Sequence, residues 1–272
     1  YKKNCFILDI PYNYDTQEAV DYLAKQLEDM VKELEKIIGR KMNPDKLAET
    51  FRLSNEAREY FLKVNELRKS IPSPMLGGEA IDYAAMLAYS WGTKEIVDVY
   101  KCLYEELKER VESHIGAVEG EQYRILWRHL RPYYNHNIID YLENQCKAVI
   151  AFEEINYLHW KEMDESDPYR SIAKKLLSDP GIGHIEPWID LTMGVVEEYK
   201  IDGVISFSQW GCRQFNGSVL RFRDAFQKRN IPHLNLDCDC IDSRDYAEGQ
   251  IKTRIEAFLK TVETQKSLAT IR

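Results

Sequence analysis

Between residues 15 and about 117 the apolar positions recur every three to four residues, which is the signature of amphipathic helices. Val20, Leu23, Leu27, Met30, Val31, Leu34 and Ile38 share one face of a first helix. Asp15 or Thr16 is placed to cap its start and Gly39 to end it. Asn43-Pro44 opens a second helix, a cap followed by proline at the first helical position, which runs to about residue 69, before Ile71-Pro72-Ser73-Pro74. Further helices are predicted over 79–91 and 94–114, and their charges read as solvated faces. From Gln122 the pattern alternates: strands over 123–130, 148–152, 204–207 and 233–236, and helices over 137–145, 171–177, 188–199, 218–229 and 248–264. Strand–helix alternation with short connections predicts an α/β fold with a parallel, doubly wound sheet of about four strands. A helical region over 15–119 would precede an α/β domain over 120–272.

One segment has no local partner. Cys5-Phe6-Ile7-Leu8-Asp9-Ile10-Pro11 reads as a buried strand running into a turn, yet helices follow it. A strand needs a sheet. Either it joins one far along the chain, or residues 1–14 are the end of an N-terminal α/β domain of roughly 100 to 150 residues lying upstream. The second is the expectation adopted here, and it makes the chain a truncated one.

Right-handed crossovers bring the carboxyl ends of parallel strands to one edge, where open α/β sheets bind ligands. Those ends carry Arg131-Pro132-Tyr133-Tyr134-Asn135, Glu153-Glu154, Gln209 to Gln214, and Asp237 to Asp242, with Trp127, Trp160 and Trp210 nearby. The most informative is Gly203-Val-Ile-Ser-Phe-Ser-Gln-Trp-Gly-Cys212-Arg213-Gln214, in which an apolar strand stops and a cysteine stands just before a helix. The helix dipole and Arg213 both favour a thiolate there, although the position equally suits a small apolar residue closing a strand. Glu153-Glu154 could form an acid/base pair, but adjacent residues in an extended segment face opposite ways. One capping glutamate and one solvated glutamate is the simpler account. Asp237-Cys-Asp-Cys240 reads as a strand-to-loop turn more readily than as a metal site, which would need ligands from elsewhere. His129, His136 and His159 show no ligand spacing and read as structural.

Composition narrows the classes. The chain has 272 residues, 44% of them apolar and 30% charged, as in a folded globular protein. Its net charge of −8, with no basic stripe, argues against nucleic acid and anionic membranes as partners. No run approaches a membrane span or a signal peptide. Six scattered cysteines without a CxxC pair suit reduced thiols in the cytoplasm rather than a disulfide scaffold. There is no GxGxxG, Walker loop, GxSxG or HExxH.

Several segments together resemble the 2-hydroxyacyl-CoA dehydratase and benzoyl-CoA reductase family. They are Asp202-Gly203-Val204-Ile205, Trp210-Gly211-Cys212-Arg213-Gln214, Ile231-Pro232-His233-Leu234, Asp237-Cys-Asp-Cys-Ile-Asp242 and, most specifically, Gln250-Ile-Lys-Thr-Arg-Ile-Glu-Ala-Phe258. Arg124-Ile-Leu-Trp127 to Pro132-Tyr133-Tyr134 and Phe6 to Pro11 are similar to it as well. The resemblance implies flavodoxin-like α/β domains joined by a helical region, pairing with a related second subunit, and a [4Fe-4S] cluster on three cysteines. It makes Cys212 one ligand of that cluster and leaves the other two upstream of Tyr1, so the 272 residues alone would hold no cluster. It further implies an ATP-dependent activator protein that supplies an electron, an acyl-CoA substrate, loss of water through a ketyl radical, and an anaerobic source. Trp127, Tyr133, Tyr134, Glu153, Glu154, Trp210, Arg213 and Gln214 become candidates for the substrate pocket. A benzoyl-CoA reductase-like subunit and a non-catalytic subunit of the same fold are the competing expectations.

Overall fold

The computed structural model describes residues 5–134 and 137–270. Its helices and strands follow one another as α1 (Gln17–Ile38), α2 (Pro44–Leu67), α3 (Gly77–Ser90), α4 (Lys94–Glu112), β1 (Tyr123–His129), α5 (Asn137–Asp140), β2 (Ala148–Glu153), α6 (Pro168–Leu177), α7 (Ile185–Glu198), β3 (Gly203–Gln209), α8 (Arg213–Lys228), β4 (His233–Cys238) and α9 (Glu248–Thr270). The contacts divide them into two compact units.

The first unit comprises Tyr1–Phe61, Ser90–Tyr100 and Leu158–Trp188. The apolar face of α1 buries Ala19, Val20, Leu23, Ala24 and Leu27 against Ala173 and Leu177 of α6. Of the two residues placed to cap α1, it is Thr16 that does so, its Oγ1 accepting from Ala19 N at 3.1 Å. Gly39 ends the helix in the left-handed region (φ 70°), donating its N–H to Glu35 O. Asn43 Oδ1 caps α2, accepting from Lys46 N. The segment 5–10 is not a strand, contrary to the expectation from its apolar run. It lies exposed beside α1, where the Gln26 side chain does what a neighbouring strand would do: its Oε1 accepts from Asp9 N (2.8 Å) and its Nε2 donates to Asp9 O (2.9 Å). A primary amide carries both a donor and an acceptor, so one side chain satisfies both backbone groups without a sheet.

The second unit comprises Leu62–Tyr89, Lys101–Tyr157 and Ile189–Arg272. It is built on a four-stranded, all-parallel sheet in the order β2-β1-β3-β4. This is the α/β architecture expected. One face is apolar: Ile125, Trp127, Ile205, Phe207, Leu234 and Leu236 pack with Ile138 and Ile139 of α5 and Ile255, Phe258 and Val262 of α9. The opposite face is largely polar, buried on β1 and β3 and partly exposed on β4. There Arg124 and Arg128 alternate with the apolar residues of β1, the Ser208 hydroxyl donates to Asn235 Oδ1 (2.6 Å), and Ser206 Oγ meets His233 Nε2 (2.9 Å).

Two local departures from the predicted pattern position charged groups. The helix expected over 137–145 gives way to a wide π-helical turn at Tyr141–Gln145, closed by Cys146 N donating to Tyr141 O. That turn aims Glu143 inward. Its carboxylate accepts from Gly77 N (2.7 Å), Gly78 N (3.2 Å) and Ile150 N (3.2 Å), so it caps α3 from a distance and ties that helix to β2. The approach is close enough that a Cβ on Gly77 would stand 2.3 Å from Ile150 Cβ. Helix α8 also begins earlier than predicted, at Arg213, because Asn216-Gly217-Ser218 continues the helix.

Burial pushes the Glu143 carboxyl up to about 7, against the three N–H groups that favour its charge. The folded carboxyl then titrates above the unfolded one, which ionises near ~4.3. Its contribution to stability is complete below the unfolded value and is lost as pH rises through about 7. Wild-type protein should therefore lose stability between pH 5 and 8 more steeply than Glu143→Gln, measured as denaturation midpoints across that range. Parallel profiles would contradict the assignment.

Candidate functional site

The strand order reverses direction between β1 and β3, so the connections from these two strands leave to opposite sides and open a crevice at their carboxyl ends. β1 delivers His129, Leu130 and Arg131 to this edge. β3 delivers Gln209, Trp210, Gly211 and Cys212.

Cys212 is the N-cap residue of α8, with extended backbone (φ −92°, ψ 92°) and a partly exposed side chain that makes no capping bond. Its thiol is thus left available at the amino end of a four-turn helix, where the dipole favours negative charge. The turn before it is held by Gln209 through both backbone and side chain. Gln209 O accepts from Cys212 N (3.0 Å) and from Asn216 Nδ2 (2.8 Å). Gln209 Oε1 accepts from Cys240 N (2.7 Å), which fastens the β3–α8 turn to the loop after β4. Trp210, Arg213 and Gln214 flank Cys212 and are exposed.

The loop after β4 behaves as a turn. Asp239 Oδ1 accepts from Ile241 N and Asp242 N, and those backbone bonds hold its carboxyl below the usual range. Cys238 and Cys240 are buried in the apolar core, and burial pushes both thiols up. The segment after β1 joins the same loop: Tyr133 N donates to Cys240 O (2.8 Å) and Tyr134 OH to Asp239 O (3.3 Å). Tyr133 remains half-exposed above the Arg131 guanidinium, and Tyr134 is partly buried, its hydroxyl pushed up to about 12 mainly by desolvation. Asn135 and His136, also expected on this rim, lie outside the described residues.

The other candidates are interior. Trp127 is fully buried and donates from Nε1 to Leu130 O (2.8 Å). Trp160 is buried in the first unit, edge-on to Trp91 and beneath Lys175, rather than on an exposed rim. Glu153 and Glu154 do face opposite ways, but neither is solvated. Glu153 is fully buried in a bidentate pair with Arg68 (2.9 and 2.7 Å) and accepts from Asn156 Nδ2 as well. Glu154 Oε1 accepts from Arg128 Nε (3.0 Å) and Nη2 (2.8 Å), and its Oε2 from His129 N (3.0 Å).

Two arginines at this edge escaped the sequence reading, and a third residue, His129, was read there as structural. Arg128 is fully buried, with its guanidinium carbon 3.5 Å from the Phe222 ring centroid and Phe215 and Phe226 farther out. Arg68, also fully buried, is its counterpart under Glu153. His129 stacks on Phe215 (centroids 4.1 Å apart, planes 10° apart). The available signal was an arginine inside a strand buried on both faces, since such a charge requires a buried partner.

Residues 1–262 match the 2-hydroxyglutaryl-CoA dehydratase D-component family. The chain belongs to this family. It is 26% identical over 271 residues to the (R)-phenyllactyl-CoA dehydratase alpha subunit of Clostridium sporogenes, covering 96% of this chain and 64% of that protein. It is 25% identical to the (R)-2-hydroxyisocaproyl-CoA dehydratase alpha subunit of Clostridioides difficile, covering 96% and 65%. It is also 25% identical to a benzoyl-CoA reductase subunit of Thauera aromatica, covering 100% and 67%. The chain therefore spans somewhat under two thirds of the length of the two dehydratase-family relatives.

A four-iron cluster needs several thiolates around it. Among the described residues no group of three His, Cys, Asp or Glu side chains is placed to hold a metal ion. These residues on their own do not fit a complete cluster, and Cys212 is the one cysteine of the family-like motif that reaches the crevice.

The Arg128–Glu154 pair ties β1 to the chain leaving β2. Arg128→Met should destabilise the protein by about 3 kcal/mol, because it strands a carboxylate that is mostly buried. Arg128→Met/Glu154→Gln should recover part of that loss in chemical denaturation. Strictly additive single substitutions would show that the two side chains are not coupled.

Proposed function

We propose that this chain is a subunit of an iron–sulfur 2-hydroxyacyl-CoA dehydratase, which removes water from a 2-hydroxyacyl thioester to give the enoyl thioester. The observation that carries the reading is the position of Cys212. A family match over nearly the whole chain coincides with an uncapped thiol at the strand-end crevice. In this reading Cys212 supplies one thiolate to a [4Fe-4S] cluster, and the remaining ligands come from polypeptide outside the described residues. Gln209 fixes the turn that presents the thiol. Trp210, Arg213 and Gln214, which flank Cys212, and Tyr133 of the segment after β1 are the exposed side chains that would offer apolar and polar contacts to a CoA thioester.

The alpha and beta subunit names among the relatives support a related second subunit as partner. An ATP-hydrolysing activator that delivers the electron, and an anaerobic cytoplasm, belong to the same reading. No helix among the described residues is long and apolar enough to cross a membrane. The similarity to the benzoyl-CoA reductase of Thauera aromatica favours a second reading, reduction of an aromatic thioester on the same scaffold.

The test is anaerobic purification of the full-length protein with its co-encoded subunit, followed by iron and sulfide analysis and assay of both reactions. Water elimination from 2-hydroxyacyl-CoA with about four irons per protein is expected. Ring reduction without elimination would select the second reading, and iron-free protein inactive in both assays would exclude both. Cys212→Ala should lower the iron content and abolish turnover. Unchanged iron and turnover would remove Cys212 from the site.

A further inference from the structure

The backbone of His129 is unusual for its place. Five non-glycine residues among those described have positive φ: His114, His129, Lys147, Lys200 and Asn230. Four of them follow a helix or helical turn, where a left-handed residue commonly terminates the helix. His129 (φ 72°) instead ends a strand, β1, at the crevice. A bulky side chain held in that region costs on the order of 1 kcal/mol or more, and such residues gather at ligand sites.

The residue is held at three points, two of them on the imidazole. Its Nδ1 lies 3.0 Å from Phe207 O, and a carbonyl oxygen only accepts, so Nδ1 carries the proton. Its face is stacked on Phe215 in the first turn of α8, the helix that Cys212 caps. The backbone N–H of His129 is held by Glu154, which also holds Arg128. In a neutral ring this leaves Nε2 as an acceptor, and no protein donor among the described residues reaches it. Burial pulls the ring's titration below the ordinary histidine value, with Phe207 O and Glu154 opposing and Arg128 reinforcing that shift.

We propose that His129 contacts the substrate, its Nε2 accepting a hydrogen bond from the hydroxyl of a 2-hydroxyacyl thioester bound at the β1–β3 crevice. The identity of the ligand rests on the function proposed above, whereas the acceptor itself rests on the geometry of β1 and α8. The contact would distinguish a hydroxylated acyl group from its deoxy counterpart, because an acceptor that bound substrate shields from water is penalised when left unmatched.

The experiment is calorimetric titration of the full-length protein with its co-encoded subunit, using 2-hydroxybutanoyl-CoA and butanoyl-CoA. His129→Gly suits the test because glycine accepts φ 72° without strain and removes the ring. Wild-type protein should bind the hydroxylated thioester about tenfold more tightly than the deoxy one. His129→Gly should lose that preference while keeping its iron content and its affinity for butanoyl-CoA. His129→Asn, which tolerates the left-handed backbone and retains an amide oxygen, should keep part of the preference. It also serves as the test should the glycine variant fold poorly. A wild-type preference undiminished in both variants, or a wild-type protein that binds the two thioesters equally, would overturn the role of His129 alone. Wild-type protein that binds neither thioester would overturn the functional reading, and the proposal with it.

Discussion

The buried guanidinium of Arg128 is the constraint around which the second unit is arranged. A cation removed from water must be matched by charge, hydrogen bonds or polarisable surface. Arg128 finds the carboxylate of Glu154 in its plane and the ring of Phe222 across its face. Those partners belong to the chain leaving β2 and to α8, so satisfying one charge fixes where both must run. The same carboxylate then takes the N–H of His129, and Phe215, nearly two turns before Phe222 on α8, takes the face of its ring. The geometry of the crevice is therefore a by-product of solving a desolvation problem one residue away.

Gln209 supplies the second constraint. Its carbonyl gathers the Cys212 N–H and the Asn216 amide, and its side chain reaches the backbone of Cys240. The position of Cys212 is thereby referred to the β4 loop, which is itself knotted by Asp239 and joined to Tyr133 and Tyr134. Three strand ends share one hydrogen-bonded rim. Positioning of this kind is what sites built on secondary structure gain over sites built on loops alone.

Much of this fold was legible in the sequence, because its main signals are periodic. The three-to-four spacing of α1 and the apolar runs of β2 and β3 each admit one reading, and the short connections between them force a parallel sheet. The Phe6 to Ile10 run misled because a short apolar run reports a preference for extended backbone and says nothing about its partner. Gln26, seventeen residues away from Asp9, provided that partner. The placement of Cys212 between a strand and a helix was readable as well. The pairing of Glu153 with Arg68 and of Glu154 with Arg128 was not, because each joins residues far apart in sequence with no motif at either end. Likewise, nothing in the letters Arg-His-Leu announces that His129 turns left-handed, since that follows from where Glu154, Phe207 and Phe215 come to rest.

The opposed carboxylates on either side of one peptide bond bear on how β2 finds its place. Every residue of Ala148–Glu153 is buried, so the strand has no polar face to tell it which way is out. A strand of that kind is poorly specified by hydrophobic patterning, and sliding it by one residue against β1 would bury as much apolar surface as before. The slide would, however, carry Glu153 away from Arg68 and Glu154 away from Arg128, leaving four charged groups mismatched inside the protein. Electrostatics here performs the indexing that alternation performs elsewhere, rejecting every alignment but one at the end of an otherwise featureless strand.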